Sequence, residues 1–257
     1  MLLAIDVGNT NIVFGLFDGE KLVHQFRAES SRGRTSDEYA VVVRQLLAMQ
    51  GVKAEDVKAA IVASVVPSLT EPMLALVRRA FGKEALVVGP GIKTGMAILY
   101  ENPREVGADR IVNAVAAHER WPGGAIVVDF GTATTFDVVN GKGQYVGGAI
   151  SPGIEISLEA LGRRGAQLRK VELARPRSVI AKNTVEALQS GMVFGVAAQV
   201  EGLVARIIAQ LGVPAGDVTV ISTGHLAALV VDDCACFTEH SPWLTLQGLR
   251  LVFERNS

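Results

Sequence analysis

From Leu3 to Val7 the chain is apolar except for the carboxylate of Asp6, and after the polar turn Gly8-Asn9-Thr10-Asn11 it is apolar again from Ile12 to Gly15. Two short apolar runs around a turn of Gly and Asn predict a β-hairpin. Lys21 to Ala28 continues as a third strand, giving an antiparallel meander. Thr35 and Glu38 have capping-box spacing, and Tyr39, Val42, Val43, Leu46 and Leu47 recur at helical intervals until Gly51 stops them. A buried strand at Ala59 to Ser64, a helix near Leu69 to Phe81 and a short strand at Ala85 to Val88 follow. Gly107 then leads into a helix through Ile111, Val112, Ala114 and Val115.

The pattern repeats after Trp121-Pro122-Gly123-Gly124. Ile126 to Val128 is a β-branched run ending in Asp129; the chain turns through Gly131, crosses a cluster of threonines and re-enters an apolar run up to Val139. Asp6 thus corresponds to Asp129, and Gly8 to Gly131. A third strand at Gln144 to Ile150 comes next, then Ser151-Pro152-Gly153 opening a helix. A long helix starts at Asn183-Thr184, with Glu186 three residues after Asn183. The strand Val218 to Ile221 ends in Thr223-Gly224-His225-Leu226, a glycine turn expected to enter a helix, and an amphipathic helix from Leu244 through Arg250 closes the chain. Meander followed by alternating helix and strand is a mixed α/β sheet with helices on its faces. Its repetition predicts two tandem domains, 1–120 and 121–257.

Length and charge narrow the partners. At 257 residues, 49% hydrophobic and 20% charged with a formal net charge of −1, the chain can bury two cores and has no overall basic field. Nucleic acid and anionic membrane are not indicated. The start Met1-Leu2-Leu3-Ala4-Ile5-Asp6 has no basic flank, and the longest apolar patches, such as Ala59 to Val66, are far too short to span a bilayer, so the expected location is the cytoplasm. Cys234 and Cys236, on an expected strand, read as two small buried hydrophobes. His24, His118, His225 and His240 show no paired metal-ligand spacing. No G-x-x-x-x-G-K-[ST] or G-x-S-x-G run occurs. The six cations between Arg163 and Arg177 lack an aromatic residue for stacking and read as a solvated loop.

The chemistry of the repeated turn follows from its residues. A carboxylate ending a buried strand can hold a hydrated cation, Gly lets backbone approach a ligand, and N–H groups with Asn or Thr side chains donate to phosphate oxygens. An ordinary hairpin with a turn-favouring Gly is the plain alternative, which repetition weakens. The second informative stretch is Tyr100-Glu101-Asn102-Pro103-Arg104-Glu105-Val106-Gly107-Ala108-Asp109-Arg110. It places Asp109 and Arg110 in a helix's first turn, where the dipole favours the acid and opposes the arginine. Arg110 therefore points to an anionic ligand or a partner carboxylate; otherwise it is a solvated cation beside a favourable N-terminal acid.

In this order, these residues resemble the type III pantothenate kinases, members of the actin-like, sugar-kinase and Hsp70 ATPase superfamily, over essentially the whole chain. The most specific pieces are Asp6 to Asn11, Tyr100 to Arg110, Asp129-Phe130-Gly131-Thr132-Ala133-Thr134-Thr135 and Gly147-Gly148-Ala149-Ile150-Ser151-Pro152-Gly153. The resemblance implies two ribonuclease-H-like domains with ATP in the cleft between them. It implies that Asp6, Val7, Gly8, Asn9, Thr10, Asn11, Ile12 and Val13 hold the phosphates, with Asp6 serving Mg2+ directly or through water. Thr132 answers from the other side, and Asp129 matches a residue associated with a monovalent cation, K+ or NH4+. Tyr100, Gly107, Ala108, Asp109 and Arg110 match the pantothenate site, Asp109 as the proton acceptor. Thr184 matches a further pantothenate contact, supplied in the family by the neighbouring subunit of a homodimer. One departure is Gly224-His225, where two consecutive glycines are expected beside the adenosine.

The function expected from the resemblance is transfer of the γ-phosphoryl group of ATP to the primary hydroxyl of pantothenate, the opening step of coenzyme A synthesis. The alternatives are a non-catalytic accessory factor of the same fold, associated with transcription, or a kinase for another small hydroxy acid or sugar. The presence of Asp6, Asp109, Arg110 and Asp129 together favours the enzyme.

Overall fold

The computed structural model describes residues 1–164 and 171–257; Arg169 and Lys170 of the basic stretch lie outside the described residues. The chain forms two compact units. Met1–Met96, Glu101–Ala116 and Leu244–Ser257 make the first, and Ala97–Tyr100 with Ala117–Trp243 the second.

In the first unit, β1 (Leu2–Val7), β2 (Asn11–Asp18) and β3 (Lys21–Glu29) form the expected meander. Helix α1 (Ser36–Met49) leads to β4 (Ala59–Ser64), and α2 (Pro67–Phe81) to β5 (Ala85–Val87). The strand order is β3-β2-β1-β4-β5, with β4 parallel to both β1 and β5. Alternation sorts the side chains: Leu3, Ile5, Val7, Ile12 and Phe14 are fully buried in one core with Tyr39, Val43 and Leu76, while Asp6 points to the opposite face. Each such large apolar side chain contributes about 1.5–3 kcal/mol by leaving water. The capping box of α1 is formed: Thr35 Oγ1 accepts the Glu38 N–H at 3.3 Å and Glu38 Oε2 accepts the Thr35 N–H at 2.7 Å.

The second unit repeats the plan. It contains β6 (Gly124–Phe130), β7 (Ala133–Val139), β8 (Tyr145–Pro152), β9 (Val218–Thr223) and β10 (Glu239–His240), in the order β8-β7-β6-β9-β10. The likeness reaches the irregularities. The ladder between β2 and β3 slips between Leu16 and Phe17, and that between β7 and β8 slips between Val138 and Val139, at the same place in each meander. In the second unit the bulged strand carries Gly147 at φ +126°.

Three expectations are corrected. After Gly224 the chain makes two short 3-10 turns, Ala227–Leu229 and Val231–Asp233, rather than an α-helix, because buried Leu226, Ala227 and Val230 tie it to the core. Cys234 and Cys236 therefore follow a turn and are not on a strand; burial pushes their thiols up to about 12 and about 11. Ala59 to Val66 is not the longest apolar stretch: helix α5 (Thr184–Leu211) is long and apolar enough to cross a membrane. Its glycines and scattered polar residues hide this in the linear sequence, and its stripe Ser190, Val193, Ala197, Val200 and Val204 is buried.

The closing helix α6 (Leu244–Glu254) belongs to the first unit, although it follows β10 in the chain. Two glycines permit this. A Cβ on Gly15 would stand 2.7 Å from Leu246 Cδ1, and one on Gly248 would overlap the Val112 carbonyl. Bare backbone at both positions lets α6 lie directly on β2 and on the helix bearing Val112, α3 (Ala108–Arg120).

Candidate active site

The acidic turn of the first unit is held from both sides. Asp6 sits one residue from the end of β1, paired across to Val13 of β2 and Ala63 of β4. The Gly8 N–H donates to the Asn11 carbonyl at 3.0 Å, and a Cβ on Gly8 would stand 3.0 Å from that same oxygen, so the turn suits glycine. Ser30 Oγ donates to the Gly8 carbonyl at 2.6 Å, while its N–H donates to Thr10 at 2.9 Å. Nothing in the sequence pattern marked Ser30; it is found only by folding β3 back onto the turn. Asn9 and Thr10 at the tip are exposed.

Val65 joins this turn to the start of α3. Its N–H donates to the Val7 carbonyl at 3.1 Å, and its Cγ1 lies 3.4 Å from where a Cβ on Gly107 would be. Asp109 Oδ1 accepts the N–H of Arg110 at 2.8 Å. Burial holds the Asp109 carboxyl above the ordinary aspartate range, with the Arg110 amide and guanidinium opposing that rise. Arg110 is only 7% exposed, which removes the solvated-cation alternative. The first unit thus brings the Asp6 turn and the Gly107 to Arg110 stretch together.

In the second unit Asp129 occupies the equivalent place, paired with Thr135 of β7 and Thr223 of β9. The Gly131 N–H donates to the Ala133 carbonyl at 3.1 Å, and the Gly153 N–H to the Thr132 carbonyl at 3.1 Å. Gly224, at φ +91°, lies against Asp129: a Cβ there would stand 2.5 Å from Asp129 Oδ1 and 2.6 Å from the Phe130 carbonyl. His225 Nε2 is 3.9 Å from Glu155 Oε2 on α4 (Ile154–Arg164). Asp129, Thr132, Gly153 and Gly224 therefore form one cluster. Gly153 was visible as part of a motif; its contact with Thr132 was not.

Tyr100 is in the second unit too, with its ring 6.3 Å from that of Tyr145. Thr184, the first residue of α5, is exposed; Asn183 caps the helix by accepting the Glu186 N–H at 2.9 Å. Among the described residues, no three His, Cys, Asp or Glu side chains gather as a metal cage.

A family model described as type III pantothenate kinase matches residues 2–206. The chain belongs to this family. Type III pantothenate kinases from Nocardioides sp. and Thermobifida fusca are 58% and 55% identical to it, each match covering 100% of this chain and 99% and 100% of theirs. The type III pantothenate kinase of Moorella thermoacetica is 51% identical, with 100% of both chains covered.

Among solved structures, a Baf family transcriptional activator from Campylobacter jejuni superposes with a TM-score of 0.59 at 18% identity, covering 99% of this chain and 98% of that one. Component A of the (R)-2-hydroxyglutaryl-CoA dehydratase of Acidaminococcus fermentans gives 0.55 at 15%, covering 100% and 99%. These likenesses show the fold, two tandem ribonuclease-H-like domains, which in this type III pantothenate kinase family member carries an acidic turn in each unit.

Proposed function

We propose that this protein is an ATP-dependent pantothenate kinase, transferring the γ-phosphoryl group of ATP to the primary hydroxyl of pantothenate to give 4'-phosphopantothenate, the first step of coenzyme A synthesis. The observation that carries the reading is 51–58% identity, over the full length, to proteins that bear the pantothenate kinase name.

The residues supply what the chemistry requires. Phosphoryl transfer depends on positioning and on charge stabilisation around the transferring group. Asp109 accepts the proton of the attacking hydroxyl; burial makes it a stronger base than aspartate in water, and the Arg110 amide on Oδ1 fixes its orientation. Arg110, together with Tyr100, Gly107 and Ala108, serves the substrate, whose carboxylate suits a guanidinium at a helix N-terminus. Backbone N–H groups and side chains from Asp6 through Val13, with Thr132, hold the triphosphate.

Mg2+ fits this donor set, because it takes one or two protein carboxylates and completes its shell with phosphate and water. Asp6 would hold it, and Asp129 a monovalent cation, K+ or NH4+. Bound Mg2+ neutralises charge on the phosphates. We further propose a cytoplasmic homodimer in which Thr184 of one subunit contacts pantothenate bound to the other. The test is purified protein with ATP, Mg2+ and pantothenate, with and without K+. 4'-Phosphopantothenate formed faster with K+ is the expected result; turnover of a different alcohol with none of pantothenate defeats the substrate assignment.

A further inference from the structure

The second unit also holds a buried polar cluster around Asp137. Asp137 on β7 is 0% exposed, yet it is a carboxylate. It accepts the hydroxyl of Tyr145 on Oδ1 at 2.9 Å and the hydroxyl of Thr135 on Oδ2 at 3.1 Å. Burying an acid is costly without such donors, so the site is built around them. Thr135 and Asp137 are two residues apart on one strand and share a face, and Thr135 lies directly opposite Asp129.

Tyr145 in turn grips the segment that carries Tyr100. Its N–H donates to the Ala97 carbonyl at 2.9 Å, and its carbonyl accepts the Leu99 N–H at 2.8 Å, so residues 97–99 are bonded to β8 through this one residue. Its ring lies tilted against that of Tyr100. Beneath Tyr100 is the bulge glycine Gly147, whose missing side chain would come 3.8 Å from Tyr100 Cε2. The bulge turns the strand at the point where Tyr100 rests on it.

We infer that Tyr145, locked by its hydrogen bond to Asp137, is a positioning residue for Tyr100 and so sets the affinity for the acceptor substrate. The inference rests on the reading of Tyr100 as a pantothenate contact. Neither Tyr145 nor Asp137 touches substrate; they act through the Ala97–Tyr100 segment. The backbone bonds of Tyr145 run to Ala97 and Leu99, while Thr135, opposite Asp129, keeps its own bond to Asp137, so loss of the Tyr145 hydroxyl alone is expected to fall on pantothenate and not on ATP.

Tyr145→Phe tests this, since it keeps the ring and both backbone bonds while removing the hydroxyl. The KM for pantothenate is expected to rise about tenfold, the loss of one hydrogen bond to a charged group, with the KM for ATP unchanged. Tyr100→Ala is expected to raise the same KM, and adding Tyr145→Phe to it to change little more, because two residues acting in series are not additive. Amide exchange at Leu99 is expected to quicken in Tyr145→Phe. An unchanged pantothenate KM, an equal rise in the KM for ATP, or effects of the two substitutions that multiply would each overturn the inference. Wild-type protein that does not phosphorylate pantothenate defeats the functional reading instead; the exchange rate at Leu99 then decides, and an unaltered rate overturns the positioning role.

Discussion

The carboxylate of Asp109 lies so close to the Cα of Gly107 that a Cβ at position 107 would overlap Asp109 Oδ1. Glycine is needed here for space, since Gly107 is not among the residues with positive φ. The obstacle is the tip of a flexible side chain, so a methyl group would move the acid and leave the fold in place. Gly107→Ala is therefore expected to fold normally by circular dichroism and to lose about 10²-fold in kcat/KM, the usual consequence of displacing a reacting group by about 1 Å.

Asp109→Asn is expected to lower kcat by about 10²–10⁴-fold while ATP still binds, as measured by steady-state kinetics and nucleotide titration. The sign of its effect on stability follows from the raised carboxyl. From the ordinary aspartate pKa up to the higher folded value, the native state holds a proton that the unfolded chain has released. Stability therefore falls as pH rises through that window, and the deficit remains above it. Asn removes the deficit, so the variant is expected to melt no lower than wild type at neutral pH. In the wild type, kcat/KM, which reports the free enzyme, is expected to rise with pH through the same elevated pKa; an acid limb at or below the ordinary aspartate value would remove Asp109 as the base.

Gly224 has both a left-handed backbone and backbone neighbours. Its φ of +91° and a clash with the Phe130 carbonyl at 2.6 Å cannot be relieved by a side-chain shift. Gly224→Ala is expected to lose at least about 1–3 kcal/mol of stability, read as a lower urea midpoint, and to raise the KM for ATP through the displaced Asp129 carboxylate.

If Thr184 serves the site of a neighbouring subunit, defects at Thr184 and Asp109 should complement each other. Thr184→Ala and Asp109→Asn, each strongly impaired alone, are expected after mixing, unfolding and refolding together to recover about a quarter of wild-type activity. Half the dimers are then mixed, and one of the two sites in each is intact. No recovery, with dimers demonstrated by sedimentation, would place Thr184 outside the shared site.

Much of the second unit could be read in advance because it repeats the first. Asp129 and Gly131 were found by matching Asp6 and Gly8, and the match extends to the ladder slip at Val138 and Val139. Ser30, Val65 and Tyr145 gave no such signal. Their roles arise from contacts across 22 residues to Gly8, between β1 and α3, and between residues 97–99 and β8.

The amino-acid order alone determined the two meanders and the first helix, though not the turns after Gly224. Period-2 runs ending in an acid, a capping box at Thr35 and Glu38, and two copies of one turn are local patterns, and local backbone preference with alternating burial suffices to decode them. Tertiary structure decided which distant residues meet. It set Val65 against Gly107, Gly224 against Asp129, Tyr145 against residues 97–99, and the closing helix on β2 and α3, where Gly15 and Gly248 admit it. These contacts depend on close packing between segments far apart in the chain, and a linear pattern carries no record of the space that a missing side chain leaves.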